Sequence, residues 1–453
     1  MMDEWKECKC ESCKSCIMLQ KLKTEGYECN ALVEQALHGK VVPPPWYDKQ
    51  KFLRGQEFFH MNFLSIFMSN LVSLSAILHV QGIVSVLSHT GKSSTQVTAA
   101  VRYLSTLRHV YLWYSGDPFE PGSEANKSIM LVRKMHLAAL KGIPKEKCLN
   151  GCDSHNSLPQ EKQLFNASNS ITEATSLHSD THFNHSSESQ EDLRGMLCKS
   201  GKTQKASQVD MVATLWAFCA LPCIKWRELG VAESSLHLMP DFIHFWRTVG
   251  YLMGVQDRFN ICAPFNWDTS LQDSTSCSSE TMIEKPEFVA LLHQLLDPSI
   301  RKDKEASHQM VEALLRGIKK VVLVVEYEAF LCFSYRVLGL ASHAQALLPL
   351  LSDSQQRLLN LQVYVFGTLL HRPVLGPPLR RFLNALLLFS ITYADNPFVI
   401  TAVDFVVTTV DFIVSIVYFV NIGVVTTVNF TVATVVGVVN ALFGALWRVA
   451  GWR

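Results

Sequence analysis

Polar side chains recur at helical spacing within an otherwise apolar stretch that runs from Thr90 to Gly142. Its first half contains no proline and carries four polar residues at positions i, i+3, i+4 and i+7, namely Arg102, Ser105, Thr106 and His109. Side chains at this spacing lie on one face of a helix. A turn with glycine and proline precedes a second apolar helix, on which Arg133 and His136 lie one turn apart. The stretch therefore predicts two buried helices that bring polar groups into one pocket.

Each polar group of this predicted pocket also has a purely structural interpretation. A lone histidine on an apolar helix is more often a satisfied core histidine than a ligand. Arg102 could be neutralised by a buried carboxylate, with Asp210 and Glu228 as candidates, and Arg133 could cap a helix carbonyl. Spacing alone leaves both interpretations open.

Several segments of the chain resemble one known family, in the same order along the sequence. Arg-x-x-x-Thr at Arg102 to Thr106 and Val-Arg-x-x-His at Val132 to His136 resemble the haem-binding helices of the rubber oxygenase (latex clearing protein) and ER-bound mycophenolate-pathway oxygenase family. Further segments resemble the entry segment and two later core helices of that family: Trp46 to Phe59, Gln208 to Phe218 and Trp246 to Gly254. The resemblance runs from about Pro45 to Val255, with one interruption.

This resemblance implies an all-α fold: a helical haem domain of about globin size that binds haem b. It implies that His136 is the proximal ligand of the iron, because neutral imidazole is the commonest axial ligand. Arg102 and Thr106 would act in catalysis near the distal face or the haem edge, and Arg133 and Arg102 would hold the haem propionates. The implied reaction is the oxidative cleavage of a C=C bond in an apolar, isoprenoid-like substrate by dioxygen.

Two departures from the family pattern concern catalysis. The family's rubber oxygenases carry a lysine directly before the motif threonine, where this chain has Ser105, and an acidic base on the preceding helix. The segment Gln81 to His89 contains no carboxylate. His89 or His109 could serve as the base instead. The alternative hypothesis is a non-catalytic haem-binding or lipid-binding membrane protein of the same fold.

Composition excludes one class of function and favours membrane contact or a large core. The formal net charge is +1, so the chain offers no basic surface for nucleic acid. Only 18% of the residues are charged whereas 48% are hydrophobic. The 13 cysteines are odd in number and partly lie in apolar helical segments, which favours reduced thiols in a cytosol-facing domain.

The segment from Phe398 to Leu446 is almost entirely apolar and contains no Lys or Arg. Its length would accommodate two membrane-spanning helices of about 20 residues each. A helical hairpin would place the flanking arginines on the cytoplasmic side of the membrane, and these are Arg380, Arg381, Arg448 and Arg453. We therefore expect a membrane protein, located in the endoplasmic reticulum with its catalytic domain facing the cytoplasm. An interfacial amphipathic segment and a core helix pair are the alternatives.

The apolar stretch from Gln56 to His89 favours a buried helix pair over a membrane span, because asparagine and serine recur along it. If it were inserted, the chain would instead resemble a receptor or transporter with several spans. No β-alternation of any length occurs before residue 397, so the body of the protein is predicted to be all-α.

The predicted organisation has five parts. Residues 1–44 form a Cys-rich tail, whose cysteines at 8, 10, 13 and 16 could bind metal or could be palmitoylated or redox-active. Residues 45–144 and 208–396 form the two halves of the helical domain. Residues 145–207 form a disordered, Ser- and His-rich insertion, and residues 397–453 form the membrane anchor.

Overall fold

The computed structural model describes residues 21–22, 24–26, 41–141, 207–263, 304–319, 322 and 325–392. All regular elements within these residues are helices, which confirms the all-α prediction for the described part of the chain. The α-helices are α1 (Lys49–Met61), α2 (Phe63–Ile77), α3 (Gln81–Thr90), α4 (Gln96–Trp113), α5 (Glu124–Lys141), α6 (Gln208–Ile224), α7 (Met239–Leu252), α8 (Lys304–Ile318), α9 (Tyr327–Val337), α10 (Ala341–Leu347), α11 (Asp353–Gly367) and α12 (Gly376–Thr392).

Local sequence explains where the central helices begin and end. Gly91 adopts a left-handed conformation, with φ of 66°, and ends α3. The side chain of Thr95 then accepts a hydrogen bond from the backbone of Thr98 in a capping box that starts α4. The predicted first helix of the pocket therefore begins at Gln96, and Thr90 belongs to the preceding helix.

A sharp corner joins α1 and α2, whose axes differ by 89°. Asn62 lies at this corner with its side chain fully buried. Its amide nitrogen donates to the Phe58 carbonyl at 2.9 Å and to Ser235 Oγ at 2.8 Å, and its oxygen accepts from the Ala232 backbone N–H at 2.8 Å. The carboxamide thus ties the corner to the segment around Ala232 and Ser235 and satisfies the buried Ala232 N–H.

Asn384 of α12 supports the same corner from the other side. Its oxygen accepts from the Leu64 backbone N–H at 2.8 Å, and its nitrogen donates to the Met61 carbonyl at 3.1 Å. All residues of α2 are buried except Asn70 and Leu74.

No single described helix is long and apolar enough to span a membrane. The bent pair α1–α2 meets the requirements of length and composition for a membrane span.

The helices α1 and α7 pack closely because a glycine faces the partner backbone. A Cβ added to Gly55 would lie 2.5 Å from the Asp241 carbonyl oxygen and 2.8 Å from Phe245 Cβ. Arg54 makes a bidentate ion pair with the Asp241 carboxylate at 2.6 and 3.1 Å. Phe52 stacks on Phe245 with ring centroids 4.6 Å apart. Similar pairings of α2 with α6 and of α4 with α8 complete the core.

Several predictions lie outside the described residues. They concern the Cys-rich tail at residues 8–16, the insertion up to residue 206 and the apolar segment from residue 398 onward. Ser207, assigned above to the insertion, instead caps α6, because its hydroxyl accepts a hydrogen bond from the Asp210 backbone N–H at 3.1 Å.

We expect acidification to destabilise the fold through His244. The backbone N–H of Asp48 donates to Nε2 of this histidine at 3.1 Å, so the ring nitrogen must be unprotonated. Burial first, and then the charges of Lys51 and Arg247, lower the pKa of His244 from 6.5 to about 4. Between these pH values the unfolded chain binds a proton that the folded chain excludes. The free energy of unfolding should therefore fall as pH drops from 6.5 toward 4.

Urea unfolding at a series of pH values measures this dependence. In His244→Gln the amide oxygen can still accept from Asp48 but does not titrate, so the slope between pH 4 and 6.5 should be shallower than in the wild type. Equal slopes in the two proteins would contradict the assignment.

Candidate functional site

The helices α4 and α5 form an antiparallel hairpin whose register is set by Ser128. The Ser128 hydroxyl contacts Nδ1 of His109 at 2.9 Å and accepts a hydrogen bond from Nε1 of Trp113 at 3.1 Å. Arg102 precedes His109 by seven residues, and Met135 follows Ser128 by seven. Because an α-helix rises about 1.5 Å per residue, both positions lie about 10 Å along the hairpin from the Ser128 contact. Arg102 is therefore level with Met135 and its neighbour His136.

His136 lies in a concave region of the protein. Its side chain has a large accessible surface, yet protein surrounds the imidazole on nearly all sides. A side chain has both properties when it lies in a cleft or a cavity. We call this region, with Arg102, Arg133 and His136, the His136 pocket.

The imidazole of His136 is neutral at physiological pH. Burial is the largest effect on its pKa, and the positive charges of Arg102 and Arg133 add to it, which lowers the pKa to about 4. Both guanidinium groups therefore lie close enough to repel an imidazolium ion. Three of the four predicted site residues are thus brought together by the structure.

Arg102 is held at the C-terminal end of α3. Its Nη1 donates to Thr90 Oγ1 at 3.0 Å, and the Thr90 hydroxyl itself donates to the Leu87 carbonyl at 2.9 Å. The carbonyl end of a helix carries partial negative charge, which favours a cation there. Burial nevertheless lowers the pKa of Arg102.

No carboxylate pairs with Arg102 among the described residues, so the interpretation that Asp210 or Glu228 neutralises it is wrong. Asp210 contacts the Ser207 hydroxyl at 2.7 Å, and Glu228 pairs with Lys225 at 3.3 Å. The Asp210 carboxylate lies against Gly82, at the opposite end of α3 from Thr90. Burial raises the pKa of this carboxyl group.

Arg133 and Thr106 lie on different helices. The side chain of Arg133 is buried, and this burial lowers the pKa of its guanidinium group. The electrostatic effect of Tyr251 on α7 raises the pKa and so acts in the opposite direction. Thr106 lies one turn after Arg102 on α4, with an accessible side chain. Of the two candidate bases, His109 is engaged by Ser128, and burial lowers its pKa. His89 lies at the exposed end of α3.

Apolar side chains with accessible surface lie at the same level of the hairpin. Val101 of α4 is 44% exposed, and Met135 of α5 is 46% exposed. Val97 and Leu131, one turn before each of them, are also exposed. This part of the hairpin therefore combines accessible apolar side chains with two cations and a neutral imidazole.

No protein-family model, curated protein or solved structure matches this chain. The site is therefore interpreted from its own geometry. Within the described ranges, no group of three or more His, Cys, Asp or Glu side chains could hold a metal ion directly. A neutral imidazole beside guanidinium groups could instead bind the metal of a cofactor. Such a cofactor would supply the other metal ligands itself, and its acidic groups would pair with the guanidinium groups.

Proposed function

We propose that this chain is a membrane-attached, haem b-dependent oxygenase that cleaves a C=C bond of an apolar, isoprenoid-like substrate with dioxygen. The observation that carries the proposal is the neutral imidazole of His136 near the guanidinium groups of Arg102 and Arg133. The resemblance of the surrounding segments to the rubber oxygenase family supplies the reaction class.

The residues of the His136 pocket fit haem b in three respects. The neutral imidazole offers a lone pair to the iron, as an axial ligand must. The guanidinium groups of Arg102 and Arg133 match the charge of the two propionates. Val101 and Met135 provide apolar surface for the porphyrin. When bound, haem would supply the binding and activation of dioxygen.

The protein's own groups would perform the remaining tasks. Arg102 and Thr106, one turn apart on α4, can donate hydrogen bonds toward the reacting atoms as negative charge develops there. The apolar residues around them would exclude water and favour an apolar substrate. Such a substrate partitions into lipid. A C-terminal membrane anchor at the endoplasmic reticulum, with the pocket facing the cytoplasm, would therefore keep the pocket close to the membrane that contains the substrate.

A second candidate function is a haem-binding or lipid-binding membrane protein without catalysis. It is favoured by Ser105 at the position of the family's lysine and by the position of Asp210, which lies at the far end of α3 from the pocket. Consumption of dioxygen with an unsaturated isoprenoid by the haem-loaded protein discriminates the two functions. An oxygenase yields two carbonyl fragments, whereas the binding protein leaves the substrate intact.

The test of haem binding is an absorption spectrum of the detergent-purified protein, expressed with ample haem, combined with a pyridine haemochrome assay. We expect a Soret band and about one haem b per chain. A colourless protein would refute the oxygenase and the haem-binding alternative together, and would leave only the helical fold and the lipid-binding alternative.

A further inference from the structure

The hydroxyl of Thr90 is oriented by two hydrogen bonds. Its proton is directed to the Leu87 carbonyl at 2.9 Å, so its lone pairs face the guanidinium group of Arg102, whose Nη1 donates to it at 3.0 Å. Thr90 is the last residue of α3, and Gly91 with its left-handed conformation fixes the chain directly after it. The acceptor is thereby attached to a rigid helix end rather than to a loop.

Arg102 depends on this acceptor because no described carboxylate competes for it. A guanidinium group has five N–H donors in a fixed planar arrangement. One donor bonds to Thr90, which orients the plane of the group and leaves other donors available to the pocket. An arginine side chain otherwise samples many conformations, because it has several rotatable bonds.

We propose that Thr90 is a positioning residue, which holds the charge of Arg102 at the edge of the His136 pocket so that Arg102 meets an acidic group of the bound cofactor. This inference rests on the proposed function, since it concerns the approach of Arg102 to haem. Thr90 itself does not touch the cofactor. Its effect passes entirely through Arg102.

The experiment compares four variants with the wild type: Thr90→Val, Thr90→Ser, Arg102→Gln and the double variant Thr90→Val/Arg102→Gln. Valine matches threonine in shape but cannot accept a hydrogen bond, whereas serine keeps the hydroxyl. Two properties of the haem-loaded protein are measured: the rate of haem loss to a scavenger apoprotein and the midpoint reduction potential of the iron. Circular dichroism and urea unfolding of the haem-free proteins establish that each variant folds.

We expect Thr90→Val to lose haem about tenfold faster, which is the effect of one charge-assisted hydrogen bond. Its midpoint potential should shift in the same direction as that of Arg102→Gln, toward more negative values, because a cation near the iron favours the reduced state. Thr90→Ser should remain within about twofold of the wild type. The double variant should lose haem no faster than Arg102→Gln alone, because Thr90 acts through Arg102.

Two results would overturn the inference while leaving haem binding intact. One is a Thr90→Val protein that matches the wild type in both properties. The other is a double variant whose rate of haem loss is the product of the two single effects, which indicates a role in helix stability independent of Arg102. A wild-type chain that takes up no haem would refute the proposed function itself, and with it this role of Thr90.

Discussion

The variant His136→Ala is expected to bind haem at least about 100-fold more weakly than the wild type, since the loss of a ligand should exceed the 10–100-fold effect of losing its hydrogen-bonding support. The imidazole is kept neutral by burial and by the charges of Arg102 and Arg133, so its lone pair is available to iron throughout the physiological pH range. Alanine removes the axial ligand and leaves the two guanidinium groups in place. The measurement is haem content per chain after purification, followed by titration of the haem-free protein with haem.

Two further measurements make this result specific. Added imidazole should restore a Soret band in His136→Ala, because a free imidazole can occupy the vacated side-chain volume. The control is His237→Ala, which removes an exposed histidine of the described chain outside the pocket and should retain full haem. A His136→Ala protein with wild-type haem content and an unchanged spectrum would refute the ligand assignment.

The variant Asn62→Leu is expected to lower the free energy of unfolding by about 3 kcal/mol. Leucine has the same branching and the same number of side-chain heavy atoms as asparagine but neither donates nor accepts a hydrogen bond. The buried Ala232 N–H would lose its acceptor, and the Phe58 carbonyl and Ser235 hydroxyl would lose a donor. Unfolding in urea, monitored by circular dichroism, measures the change.

The matched control for this prediction is Ser69→Ala in the adjoining helix α2. The Ser69 hydroxyl is fully buried and has no hydrogen-bond partner among the described residues. The substitution removes a buried hydroxyl but breaks no hydrogen bond among the described residues. The free energy of unfolding should therefore change by less than about 0.5 kcal/mol. If both variants were equally destabilised, loss of packing rather than loss of the Asn62 hydrogen bonds would explain the effect.

Much of the pocket could be predicted from helical spacing. Arg102 and Thr106 share one helix face because they are four residues apart, and Arg133 and His136 are three apart on the next helix. The periodicity of polar and apolar residues reflects the local geometry of a helix, so it does not depend on how the helices pack. The same local signals placed the turn between the two helices.

The partners of these residues could not be predicted in this way. Asp210 and Glu228 were the carboxylates that could neutralise Arg102, yet Asp210 faces Gly82 and Glu228 pairs with Lys225. The acceptor is instead the hydroxyl of Thr90, twelve residues earlier, on a helix that ends at Gly91. A threonine before a glycine is a common helix end, and nothing in the sequence indicates that an arginine will reach it.

Hydrophobic periodicity and capping residues predict that the described body is helical and which polar groups share each helix face, because both are local properties of the chain. The break of the long apolar stretch at Asn62, the hydrogen bond of Arg102 to the end of α3 and the neutral state of His136 follow instead from the packing of the helices. These properties depend on groups more than ten residues apart. Desolvation and charge repulsion act through space, so they arise only once the helices have packed.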